Sequence, residues 1–76
     1  MGGKKLYRYP VIIERSRRNY SAYSPDLPGC VATGATIKET LSRMRTAIKF
    51  HLEGLKKEGS KIQEPSTKVK YLEITV

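Results

Sequence analysis

From Leu6 to Glu14 the side chains alternate: Tyr7, Tyr9, Val11 and Ile13 share one side of an extended chain, and Leu6, Arg8, Pro10 and Ile12 share the other. That period of two predicts a first strand. Pro10 has no N–H to give a ladder, so this strand belongs at a sheet edge there, or its nitrogen faces outward. The polar tract Arg15-Ser16-Arg17-Arg18-Asn19 ends the alternation and predicts a hairpin turn. Tyr20–Ser24 then predicts a second strand, antiparallel to the first. In Pro25-Asp26-Leu27-Pro28-Gly29 the two prolines fix φ on either side of Leu27, Asp26 can accept from nearby backbone N–H groups, and Gly29 can take a positive φ. Cys30–Thr33 predicts a short third strand, closed by Gly34.

The period changes at Thr36. Thr36-Ile37-Lys38-Glu39 has the form of a capping box, in which the threonine hydroxyl accepts from the N–H three residues on and Glu39 reaches back. Ile37, Leu41, Met44, Ile48, Leu52 and Leu55 then recur at helical spacing, one apolar stripe along a helix predicted over Thr36–Glu58 and stopped by Gly59. Ser60–Lys68, with Pro65 inside, is a connector. Val69–Val76 alternates again, Leu72, Ile74 and Val76 against Tyr71, Glu73 and Thr75, and predicts a fourth strand. The fold class is therefore α+β in the order β-β-β-α-β, an antiparallel sheet with one long helix packed on one face. Residues 1–76 make a single domain, with residues 1–5 expected as a disordered N-terminal tail.

Size changes the picture next. A chain of 76 residues hides only about 60% of its unfolded surface, and a single core of this size rarely supplies more than about 3–5 kcal/mol. Cys30 is the one cysteine, so no intramolecular disulfide can add to that. Self-association is expected, most simply as a twofold dimer. The first strand is apolar on both sides while the helix can cover only one face, so a second copy is expected over the other. Pairing of Val69–Val76 with its symmetry mate is a second geometry. No apolar run approaches a membrane span and no signal-peptide pattern opens the chain, which points to a reduced, cytoplasmic protein.

Candidate chemistry is sparse. His51, Cys30 and Asp26 are each the only residue of their kind, and the seven acids are scattered. Ser24, Asp26 and His51 can be written as a triad, but nothing in their spacing orients them. No catalytic residue, metal site or cofactor is expected. Fifteen Lys and Arg against seven Asp and Glu leave a net charge of +8. Arg15, Arg17 and Arg18 in the first turn, with Tyr20 and Tyr23 close in sequence, make a candidate nucleic-acid contact, since arginines meet phosphates and tyrosines stack on bases. No phosphate-cradling glycine loop or RNA-module signature accompanies them.

The block Tyr23-Ser24-Pro25-Asp26-Leu27-Pro28-Gly29-Cys30, followed by Gly34-Ala35-Thr36 and a long amphipathic helix, resembles the HicB-like antitoxin family. The resemblance runs from about Tyr9 to Pro65, and the turn Pro25, Asp26, Leu27, Pro28, Gly29 and Cys30 carries most of it. It implies a partial RNase H-like fold without catalytic carboxylates. It also implies binding and masking of a small basic mRNA-cleaving toxin of the HicA type. Many members append a helix-turn-helix or ribbon-helix-helix domain; the resemblance here is to a stand-alone member without one. Lys38, Glu39 and Thr40 stand where the family's helix usually opens with acids and alanine.

Overall fold

The computed structural model describes residues 5–76, so all of the expected N-terminal tail except Lys5 lies outside the described residues. Three strands, β1 (Ile12–Arg15), β2 (Tyr20–Tyr23) and β3 (Val31–Gly34), precede one helix, α1 (Ile37–Lys57). The sheet is antiparallel in the order β1-β2-β3, and the architecture is α+β. Ile13, Ala22 and Ala32 stand opposite one another across the three strands, as do Ile12, Tyr23 and Val31 one residue away. Because side chains alternate, these two rows lie on opposite faces. The first row faces α1.

The helix begins where its cap says it should. Thr36 is extended, with φ −131° and ψ 162°; its Oγ1 accepts from Glu39 N at 3.0 Å, and Glu39 Oε1 accepts from Ala35 N at 2.9 Å. Helix end and glycine stop also agree with the pattern: Gly59 has φ +72° and donates to Lys56 O. The core is small. Ala22, Leu27, Cys30 and Met44 are buried, and Tyr9, Val11, Ile13, Ala32, Ile48 and Leu52 pack around them. Thr40, fully buried, turns its hydroxyl back onto Thr36 O at 2.7 Å.

Two expectations are corrected. The first strand is shorter than its alternating run, because β2 ends at Tyr23 and Pro10 cannot donate; Lys5–Val11 continues extended, with Tyr9 and Val11 still packed against the core. The fourth strand at Val69–Val76 is not formed: those residues join no strand of the sheet and are exposed. The connector is tied down just before them, at the loop following β2, and beyond that point they lie off the sheet. Of the helical stripe, Met44 is buried, Ile48, Leu52 and Leu55 are half-buried, and Ile37 and Leu41 are exposed. The helix lies over β3 and β2 and leaves the β1 side of the sheet open.

Candidate interaction surface

The Pro25–Cys30 turn is a small structural unit in its own right. Leu27 N donates to Ser24 O and Cys30 N donates to Leu27 O, each at 3.1 Å, so two consecutive tight turns carry the chain from β2 to β3. Gly29 takes φ +88°, a backbone state that costs other residues. Leu27 and Cys30 point inward and are buried. Cys30 Sγ is 3.8 Å from Ala47 O on the helix, and burial raises its thiol pKa above the ordinary value. A buried thiol of that kind is a poor nucleophile.

Asp26 is buried, yet it is not merely a turn former. Its carboxylate accepts from Ser66 N (3.2 Å), Ser66 Oγ (3.0 Å), Thr67 N (3.3 Å) and Thr67 Oγ1 (3.2 Å). Burial pushes this carboxyl up, but the Ser66 and Thr67 donors outweigh it and hold Asp26 below the ordinary carboxylate value. The turn thereby clasps the connector that returns from α1. Tyr9 Oη donating to Gln63 O (2.6 Å) and Lys5 Nζ paired with Glu64 (2.8 Å) tie the same connector to the first strand run. No local sequence pattern pairs Asp26 with residues forty positions away, although Ser66-Thr67 after Pro65 is the kind of polar pair that can meet a carboxylate. Ser24 Oγ, beside the clasp, is buried and has no hydrogen-bond partner among the described residues.

Gly34 explains the glycine two residues ahead of the cap. A Cβ built there would stand 2.7 Å from Thr40 Oγ1 and 2.9 Å from Thr40 N. The end of β3 thus touches the first turn of α1 backbone to backbone, and only glycine leaves room.

The candidate nucleic-acid residues separate. Arg15 and Tyr20 are cross-strand partners, with the guanidinium 5.8 Å from the ring centroid. Arg17 and Arg18 occupy the exposed turn beside them. Tyr23 lies three residues along β2 and faces the other way, in the row with Ile12 and Val31. That row is the apolar part of the uncovered face, where Tyr23 and Val31 are exposed. Ser24 and Asp26 lie in the turn and His51 on α1, with the Asp26 oxygens given to Ser66 and Thr67. Among the described residues no three His, Cys, Asp or Glu side chains gather as a metal site would require, and no helix is long and apolar enough to cross a membrane.

Between Lys5–Val11 and α1 runs an open groove of about 600 Å³. Tyr7, Val11, Leu41, Met44, Ile48 and Leu52 give it an apolar lining. Sequence reading does not find it, because the stripe alone does not say that the helix sits off-centre over β2 and β3.

A turn that clasps the connector, a glycine contact ahead of the cap and a helix over three antiparallel strands account for the motif residues one by one. The family model described as the HicB-like antitoxin of bacterial toxin–antitoxin systems matches residues 9–74. The chain belongs to the HicB-like antitoxin family. A UPF0150 protein of Thermoplasma acidophilum is 39% identical over 70 residues, covering 91% of this chain and 96% of its own length. An uncharacterised 14.9 kDa protein from the rep–hol intergenic region of Haemophilus phage HP1 is 31% identical over 64 residues, 84% of this chain. This chain spans about half of that phage protein, 48% of its length. No solved structure matches significantly. HicB-like membership associates the chain with toxin–antitoxin systems.

Proposed function

We propose that this HicB-like chain is a non-catalytic antitoxin that binds and neutralises a small mRNA-cleaving toxin of the HicA type in the cytoplasm, acting as a homodimer. The observation that carries the reading is the family match over residues 9–74, which spans the sheet, the turn and the whole helix. The uncovered sheet face supports it physically. Its strand residues are Ile12, Glu14, Ser21, Tyr23, Val31 and Thr33, an apolar row beside a polar one, with no basic side chain among them. Those strand positions carry no cation of the +8 chain, so a basic toxin meets apolar and polar side chains there rather than like charge. Tyr23 is the anchor to expect, being a half-exposed aromatic at the centre strand.

The test is co-purification from native cells, with and without nuclease. A small basic protein should remain bound after nuclease treatment and resist 200 mM salt, and Tyr23→Ala should weaken its capture. The second reading is a nucleic-acid-binding module built on Arg15, Arg17, Arg18 and Tyr20, the candidates that the fold keeps together, without Tyr23. The Arg15–Tyr20 stack favours it. Under that reading nuclease releases the partner, and affinity falls steeply between about 50 and 200 mM salt.

A further inference from the structure

We propose that two copies of this chain exchange C-terminal arms, residues 69–76 of each adding as a fourth strand to the free edge of β1 in the other; this rests on the homodimer reading above and gives it a geometry.

The arm is a strand in search of a sheet. Tyr71–Val76 alternates β-branched and apolar residues with polar ones and contains no proline. Leu72 is 85% exposed and Ile74 77%. An extended segment of eight residues, about 26 Å long, with its backbone unpaired and its apolar side in water, is not a stable end state. It also stretches the molecule. The radius of gyration is 14.7 Å, against about 11 Å for a compact chain of this length.

The same molecule has the matching vacancy. Among the described residues β1 pairs with β2 on one side only, so its other edge is free there. Beside the run Lys5–Val11 that leads into β1 lies the apolar groove, where Leu41 of the helical stripe is exposed and Val11, Ile48 and Leu52 are only half-covered. A strand added there would point alternate side chains toward the groove, as Leu72, Ile74 and Val76 require. Charge agrees. Arg8, Arg45 and Lys49 line the groove together with those apolar residues, whereas Tyr71–Val76 carries Glu73 and no base; Lys70, the arm's lysine, lies at its root.

The course of the arm points to the second copy. Ser66 and Thr67 are held by Asp26, in the loop that follows β2, and Pro65–Lys70 lie beside Arg8–Pro10. From that fixed root Tyr71–Val76 is exposed and off its own sheet. A twofold axis brings each arm to the other copy's edge. The exchange also answers the small core, because each reciprocal strand covers apolar surface that a single copy leaves in water, toward the roughly 800 Å² per subunit usual for a stable interface.

The experiment uses the full-length chain. Sedimentation equilibrium should give a dimer for the wild type, and Leu72→Asp with Ile74→Asp should raise its dissociation constant at least about 100-fold. Because both side chains are exposed in the single chain, helical circular dichroism should be unchanged. In a mixed sample of isotope-labelled and unlabelled copies, labelled Ile12–Arg15 amides should show contacts to unlabelled arm protons. A wild type that is monomeric overturns dimer and exchange together. A dimer that survives both aspartates, or one without those intermolecular contacts, overturns the exchange and leaves the dimer standing.

Discussion

Replacing Gly34 by alanine puts one methyl group where β3 meets the first turn of α1. It would stand 2.7 Å from Thr40 Oγ1, 2.9 Å from Thr40 N and 3.1 Å from Thr40 Cα. The hydroxyl alone could rotate away, but two of the three obstacles are backbone, and Thr40 is fully buried and bonded to Thr36 O. Relief therefore requires the helix start to move off the strand. That shift loosens both the cap hydrogen bond at Glu39 N and the packing of Met44, one turn further on. Overpacking of this kind costs about 1–3 kcal/mol, and the backbone obstacle puts Gly34→Ala in the upper half. For a domain of this size about 2 kcal/mol lowers the melting temperature by roughly 8–16 °C. Gly54→Ala is the internal control: it sits within α1, its added Cβ meets nothing within 4 Å, and helix propensity should stabilise by up to about 1 kcal/mol. Urea unfolding followed by helical circular dichroism measures both, at one fixed protein concentration because association adds to apparent stability. A Gly34→Ala midpoint equal to or above the wild type refutes the close-contact argument.

Asp26→Asn should destabilise at pH 7, because the amide keeps one acceptor and turns donors toward the donors of Ser66 and Thr67. The carboxyl is held below its ordinary value in the folded chain, so its contribution is complete above the unfolded carboxyl's pKa of about 3.9 and lost as pH falls through the lower folded value. The gap between wild-type and Asp26→Asn urea midpoints should accordingly begin to narrow below about pH 4 and go on narrowing as the pH falls; a gap that does not narrow at all below about pH 4 contradicts the clasp. Cys30 should react slowly with a thiol reagent in the native protein and rapidly in urea, since it is buried and burial raises its pKa. Ser24→Ala should be neutral, or stabilising by up to about 1 kcal/mol, because its buried hydroxyl has no partner to lose; a loss above about 1 kcal/mol would show a hydrogen bond, most simply through water.

The amino-acid sequence by itself determined the elements whose causes are local. Thr36, Glu39 and Gly59 set the helix limits because capping and C-terminal geometry act within four residues. The alternation of Ile12–Arg15 and Tyr20–Tyr23 determined the hairpin, whereas packing decided which row faces the helix, because the first strand run is apolar on both sides. The Pro25–Cys30 block was legible as a turn, and as a family motif, because two prolines and a glycine constrain φ whatever surrounds them. Tertiary structure decided what depends on distant partners. Asp26 serves as a clasp only because the connector brings Ser66 and Thr67 back across forty residues. The groove exists only because α1 settles over β2 and β3, leaving Ile37 and Leu41 of a continuous stripe uncovered. Val69–Val76 has the composition of a strand, but a strand is a relation between two chain segments, and propensity in one of them cannot supply the other.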